Sequence, residues 1–391
     1  MKKNIVSFCL VIFLIASFGF LKPINVYAYN TWTEKAPMPT ARPTHSCILS
    51  TDNQIYCIGG FYLNDDLEVF DNNEAYNPET NFWSIKAGMP TERDPVLAYQ
   101  DGLIYALGSK FYAEFTPAVM TTNEAYNPTT DSWEEKEAIP TEGEIFISFA
   151  AHSYNEKIYV VGLEVIRGEE DDYSIRVYEY TPSEDSWTEK YNEEILQEEG
   201  FLMPTAASKN NKIYLIGGFN PFSGPTVVLN DVLEYDIETN SFEQKTAIPK
   251  DGIFAASASY GTDDKIYVFG GASEIGEEEI GSPSTQTHIY DSATNAWEQG
   301  TPIPTARLFS AAVFAANEKI YVIGGQVNPP SDTNEEFSSS DQSEQRNEPK
   351  TITQLPKTGN NLQNFLNLLL PLSFITPYLV EKIKLKRQKP K

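Results

Sequence analysis

An Ile-Tyr pair followed three residues later by Gly occurs six times in this chain. The copies run from Ile55 to Gly59, Ile104 to Gly108, Ile158 to Gly162, Ile213 to Gly217, Ile266 to Gly270 and Ile320 to Gly324. Their tyrosines are 49, 54, 55, 53 and 54 residues apart. A period of about fifty with strand-like content defines units that stack or radiate, because one such unit cannot bury its apolar face alone. The function to expect from that architecture is display of loops on a rigid scaffold.

Two further elements complete each unit. In the first five, a Tyr stands seven residues before an aromatic: Tyr76 and Trp83, Tyr126 and Trp133, Tyr180 and Trp187, Tyr235 and Phe242, Tyr290 and Trp297. The residues between are turn formers such as Asn77-Pro78-Glu79-Thr80-Asn81, so each element is a hairpin. A run of strand character also precedes each Ile-Tyr, for example Ile145–Ala151 or Leu308–Ala315, across a short polar turn. Four antiparallel strands per unit, repeated radially, predict an all-β, six-bladed β-propeller. Trp32 supplies a sixth aromatic ahead of the first unit, so it is expected on the outer strand of the last blade. Closure by an N-terminal strand removes free sheet edges. The third strand of that blade must come from beyond Gly325 or be missing.

The double Gly, the Tyr and the Trp resemble kelch repeats over roughly Asn30 to Gln326. The double Gly is intact at Gly59-Gly60, Gly217-Gly218, Gly270-Gly271 and Gly324-Gly325, and degenerates to Gly108-Ser109 and Gly162-Leu163. The resemblance implies a kelch-type propeller over residues 29–327.

Both ends read as targeting segments. Lys2 and Lys3 precede an apolar run from Ile5 to Leu21, and Val26-Tyr27-Ala28 places cleavage between Ala28 and Tyr29, so residues 1–28 are expected to be a signal peptide. Leu355-Pro356-Lys357-Thr358-Gly359 is followed by an apolar stretch from Asn360 to Val380 and a basic tail. Residues 355–391 thus resemble the cell-wall sorting signal of Gram-positive surface proteins. The resemblance implies that a sortase cuts between Thr358 and Gly359 and links Thr358 to peptidoglycan, with membrane contact only in transit. An apolar stretch with cytoplasmic positive charge halts export at that point. Residues 328–354, rich in Pro, Ser, Asp, Glu and Asn, are expected to form a disordered spacer near the wall.

The formal charge is −26, and it becomes about −34 once both targeting segments are removed. Such a surface repels nucleic acid, which is excluded as a partner. Cys47 and Cys57 flank a turn on adjacent strands; they are either a disulfide or two small buried side chains. The three histidines, His45, His152 and His288, fall on different blades and offer no copper site. The acidic runs Glu169–Asp172, Glu193–Glu199 and Glu277–Glu279 lack calcium-loop spacing. No metal or cofactor is expected.

The long loops Phe61–Asn73, Ser109–Asn123, Leu163–Tyr173, Phe219–Asn230 and Ala272–Thr287 share one face with the segments entering each first strand. That face is expected to bind a protein or glycan ligand. Three entering segments read Pro39-Thr40-Ala41-Arg42, Pro90-Thr91-Glu92-Arg93 and Pro304-Thr305-Ala306-Arg307. In a closed ring they belong to neighbouring blades, making Arg42, Arg93 and Arg307 a candidate anion pocket. The alternative is that each arginine pairs with an acid inside the scaffold. A wall-anchored, non-enzymatic binder is the first functional expectation. An enzyme resembling kelch sialate mutarotases would hold a sugar acid on the arginines and need a nearby carboxylate, for which the sequence offers Glu92 and Glu142 near strand entries. A plain wall spacer is the third.

Overall fold

The structure, a computed structural model, describes residues 30–338 except 64–66, 111–119, 144, 167–171, 196–200, 221–225, 250–251, 276–280 and 327–328. The expected signal peptide, the later part of the spacer and the sorting signal lie outside the described residues.

Six four-stranded antiparallel sheets form the blades of the propeller. The first holds β2 (Ser46–Leu49), β3 (Ile55–Ile58), β6 (Asn73–Asn77) and β7 (Phe82–Ile85), with β4 (Phe61–Leu63) and β5 (Leu67–Val69) forming a ribbon in its long loop. The second holds β8 (Val96–Gln100), β9 (Leu103–Leu107), β10 (Asn123–Asn127) and β11 (Ser132–Lys136). The third holds β12 (Ile145–Tyr154), β13 (Lys157–Ile166), β14 (Asp172–Thr181) and β15 (Ser186–Ile195). The fourth holds β16 (Thr205–Lys209), β17 (Lys212–Ile216), β20 (Val232–Asp236) and β21 (Ser241–Gln244), with a ribbon of β18 (Phe219–Asn220) and β19 (Val227–Val228). The fifth holds β22 (Phe254–Tyr260), β23 (Ile266–Ala272), β24 (Thr287–Asp291) and β25 (Ala296–Gln299). The sixth joins β26 (Ala311–Phe314), β27 (Ile320–Ile323) and β28 (Asn334–Ser338) to β1 (Thr31–Lys35) from the other end of the chain.

β28 corrects the expected boundary, since the propeller runs through Ser338 and the spacer cannot begin at residue 328. The strand went unread because its hairpin is split between the chain's two ends. Phe337 takes the Tyr position and faces Trp32 at 4.8 Å between ring centroids, as Tyr76 faces Trp83 at 5.1 Å. The sequence Asn334-Glu335-Glu336-Phe337 repeats Asn73-Glu74-Ala75-Tyr76 with an aromatic exchange. The third blade differs from the rest in its ten-residue strands. Gly162 does not take the positive φ that Gly59, Gly108, Gly217, Gly270 and Gly324 adopt, so β13 continues as an extended strand through it.

The Ile-Tyr strands are second from the axis and are covered by neighbouring blades, which explains their near-complete burial. The second glycine of each intact pair carries the ring contact. Gly60, Gly218, Gly271 and Gly325 donate their N–H groups to Arg93, Ile253, Arg307 and Arg42 carbonyls of the next blade, at 2.9, 2.8, 3.0 and 3.1 Å. A Cβ on Gly60 would lie 1.9 Å from the Thr44 carbonyl, so no other residue fits that approach.

On the opposite face, one Asn or Asp staples each hairpin to the preceding blade. Tyr76, Tyr126 and Tyr290 donate their hydroxyls to Asn81, Asp131 and Asn295 at 2.9, 2.6 and 2.8 Å. The same oxygens accept the N–H groups of Ala36, Ala87 and Thr246. Asp185 repeats the pattern with Tyr180 and Glu137. All four adopt positive φ, which Asn and Asp tolerate better than other side chains.

The Asn-for-Asp exchange gives a pH prediction. The Asp131 carboxyl is held below its ordinary value by the Ala87 N–H and then by Tyr126. At Asp185 burial pushes upward, but Tyr180 and the Glu137 N–H outweigh it and the net shift is downward. A lowered folded pKa stabilises above the unfolded value, about 3.9, and that stabilisation is lost as pH falls through the folded value. Combining Asp131→Asn with Asp185→Asn keeps the acceptors and should flatten the fall of the urea midpoint between about pH 4 and 2. An unchanged slope would show that these carboxyls do not drive acid unfolding.

Candidate functional site

The three arginines are committed to their own blades. Arg42 reaches Glu74 Oε2 at 2.8 Å while Thr40 donates to Oε1 of the same carboxylate at 2.7 Å. Arg93 and Thr91 divide the oxygens of Glu124, at 2.5 and 2.8 Å. Arg307 and Thr305 divide those of Glu335, at 2.6 and 2.7 Å. Further guanidinium N–H groups donate to strand-end carbonyls, among them Gly59, Gly108 and Gly324. All three arginines are 0% exposed. The candidate anion pocket is therefore corrected to three separate scaffold locks, because each guanidinium is fully buried against its own glutamate. Burial lowers the Arg42 pKa to about 10 against the opposing pull of Glu74, so the group remains charged at neutral pH.

The variable positions lie next to these locks. Counting back from each Ile-Tyr, one residue from each blade stands at the same level of its first strand, just ahead of the strand for Thr44, Asp94, Met203 and Phe309 and within it for Ser148 and Ala255. All six line one cavity of about 90 Å³. Phe61 and Lys110, which open the long loops of the first two blades, complete its wall on the long-loop face. Blades one to three contribute Thr, Asp and Ser; blades four to six contribute Met, Ala and Phe. At these six positions the ring is polar over one half and apolar over the other, while Phe61 and Phe149 add apolar surface to the first half and Ser310 a hydroxyl to the second.

The geometry at this ring is held tightly. Met203, Ala255 and Phe309 adopt φ of 50°, 53° and 54°. A non-glycine residue in that region costs roughly 1 kcal/mol or more, so surrounding contacts must hold it there. One such contact is the Phe309 N–H donating to the Ala255 carbonyl at 2.6 Å. Asp94 is 2% exposed and lies 3.1 Å from the Lys110 ammonium, which also donates to the His45 carbonyl at 3.2 Å. Burial raises the Asp94 pKa, with Lys110 pulling the other way. The Ser148 hydroxyl is buried without a partner among the described residues.

Beyond the mouth a cavity of about 510 Å³ follows the axis. The first strands line it with small residues such as Ser46, Ala98, Ala150, Ala206 and Ala258. That volume falls in the range of small-molecule sites. Tyr99, His152 and Tyr260 also line this cavity. The His152 ring is within hydrogen-bonding distance of the Asn210 carbonyl at 2.8 Å.

Cys47 and Cys57 stand directly opposite each other on β2 and β3 and form a disulfide, which decides between the two sequence readings. His45 is 1% exposed, and its ring lies against Gly324, where a Cβ would come within 2.4 Å of His45 Cε1. Burial, then the charges of Arg42 and Lys110, depress its pKa well below the ordinary value, so the imidazole is neutral. Glu92 is exposed, and Glu142 meets Arg176 at 3.8 Å; neither lines the mouth.

These features define a six-bladed kelch-type β-propeller with a graded mouth over an axial cavity. Residues 113–345, more than half of the chain, match the family described as Attractin/LZTR1 beta-propeller, and residues 42–90 match the Kelch motif. The chain belongs to the Attractin/LZTR1 β-propeller family. It is similar to the human Rab9 effector protein with kelch motifs, 28% identical over 133 residues covering 32% of each chain. Kelch-like protein terF of Aspergillus terreus is 32% identical over 100 residues, 23% of this chain and 22% of that protein. The human Kelch repeat and BTB domain-containing protein 12 is 29% identical over 122 residues, 30% of this chain and 19% of that one. These matches span at most about a third of the relatives' own lengths. The solved structure of YjhT superimposes with a TM-score of 0.58 at 17% identity, covering 76% of this chain and 95% of that one, and so shares the fold.

Proposed function

We propose that this is a secreted, sortase-anchored surface protein whose propeller binds a glycan at the mouth on its long-loop face. The observation that carries the reading is the ring of six equivalent positions, polar over blades one to three and apolar over blades four to six. A saccharide unit presents hydroxyls at its rim and C–H groups on its faces. Asp94 and Lys110 suit the first and Phe309 and Met203 the second. The axial cavity beyond is large enough to admit a terminal sugar. Anchoring rests on the Leu355–Gly359 sequence, its apolar stretch and its basic tail.

A glycan array probed with the chain ending at residue 341, followed by calorimetric titration of its strongest hit, tests the binding. Phe309→Ala and Lys110→Ala should each weaken that hit by roughly tenfold or more, as truncation of a central contact does. A flat array profile would count against glycan recognition. For the anchor, Thr358→Ala should move the protein from the wall fraction to membrane and medium. Retention in the wall fraction would refute the sorting assignment.

A second reading draws on the Asp94–Lys110 pair. A buried acid with a raised pKa beside a lysine in a cleft is the arrangement of an acid/base catalyst. Among the described residues that line the mouth there is no arginine to clamp a sugar acid, which favours the binder. Exchange of sialic acid anomers followed by NMR separates the two: turnover lost in Asp94→Asn supports the enzyme, and no turnover supports the binder.

A further inference from the structure

Independently of the mouth, we infer that His45, Cys47 and Cys57 form a redox-gated site for a soft or borderline cation of the Zn²⁺ class, closed by the disulfide and opened by its reduction. His45 immediately precedes β2, which carries Cys47, and Cys57 faces Cys47 across the ladder. One imidazole nitrogen and the two sulfurs all lie within 4.8 Å of one another. Zinc bonds of about 2.0 Å to nitrogen and 2.3 Å to sulfur place ligand atoms roughly 3.5–3.8 Å apart, so adjustments on the order of 1 Å, with the S–S bond opened, close the site.

The imidazole is the independent pointer. Neither of its nitrogens makes a well-formed hydrogen bond among the described residues, the Thr44 backbone offering only a poorly aligned one, although the ring is 1% exposed. A buried polar group left unpaired needs an explanation. The disulfide accounts for the sulfurs and leaves the ring unexplained, whereas a cation uses all three groups. Two thiolates and a neutral imidazole around a dication are also neutral overall, which suits a buried position. Cys47 lies on the wall of the axial cavity, giving a reductant and a metal a route in and a water the fourth position.

The chemistry balances with a small thiol as reductant. Two thiol molecules give two electrons and two protons to the S–S bond and leave as their own disulfide, and the cation then displaces the two cysteine protons. Cys57 packs with Val313, Tyr321 and Ile323 of the sixth blade, so the state of this site acts on the joint between the first and last blades.

The test uses the full chain, reduced with a phosphine under argon, freed of reductant and titrated with Co²⁺. The expected result is about one Co²⁺ per chain with thiolate-to-cobalt charge-transfer absorption, displaced by Zn²⁺ and absent from the oxidised protein. His45→Gln, which keeps the buried volume, should weaken binding by roughly tenfold or more, and Cys47→Ser should abolish the band. Three results would overturn the assignment. These are no band from a folded protein with Cys47 and Cys57 both reduced, unchanged affinity in His45→Gln, or reduction only with loss of native tryptophan fluorescence.

Discussion

A chain ending at residue 327 will be insoluble or unfolded, whereas one ending at residue 341 will melt cooperatively. β28 sits between β27 and β1, so its removal strands β1 and leaves β27 as a bare edge. It also deletes Phe337, which is 1% exposed and packs among Trp32, Tyr267 and Phe269. Loss of one buried Phe costs about 3–5 kcal/mol, and the lost strand pairing and closure come on top of that. The total approaches the 5–15 kcal/mol that typically separates folded from unfolded states. Circular-dichroism melts and sedimentation of the two chains decide the matter. Equal melting temperatures would show that the N-terminal strand does not close the ring through β28.

The second large effect is expected at Arg42. Arg42→Ala leaves Glu74 buried without its counter-charge, which costs about 3–5 kcal/mol. Pairing Arg42→Met with Glu74→Leu should recover most of the loss, because both desolvation costs disappear together. Urea unfolding measures both. Ligand affinity of the folded double variant should equal that of the wild type, since the pair does not face the mouth. A normally stable Arg42→Ala that no longer binds ligand would instead restore the anion pocket.

The scaffold was legible because its parts repeat. The Ile-Tyr phrase, the double Gly and the Tyr-to-Trp spacing each mark a position that must be buried, turned or closely approached in every blade. β28 escaped that reading because Phe337 and Trp32 are 305 positions apart in the chain although they face each other in one hairpin. The arginines misled for a related reason. Their spacing was visible, but their partners Glu74, Glu124 and Glu335 lie on the third strands, two residues before the aromatic. Blades three to five, which lack the arginine, carry Tyr178, Leu233 and His288 there, so Arg and Glu occur together within this one sequence. The mouth was hardest to read because function favours difference among repeats. Thr44, Asp94, Ser148, Met203, Ala255 and Phe309 share a place in the ring but no one residue type. They stand ten or eleven residues before each Ile-Tyr, and only the register aligns them.

The ring of mouth residues is the central claim, and calorimetric titration of one glycan ligand against two sets of variants tests it. Asp94→Asn and Phe309→Ala alter the mouth, while Phe82→Ser and Ile85→Ser alter the exposed outer strand of the first blade. The predicted result is a loss of roughly tenfold or more in the first set and no change in the second. Unchanged affinity in the mouth variants, with loss in the outer-strand variants, would place the binding surface on the rim and contradict the account.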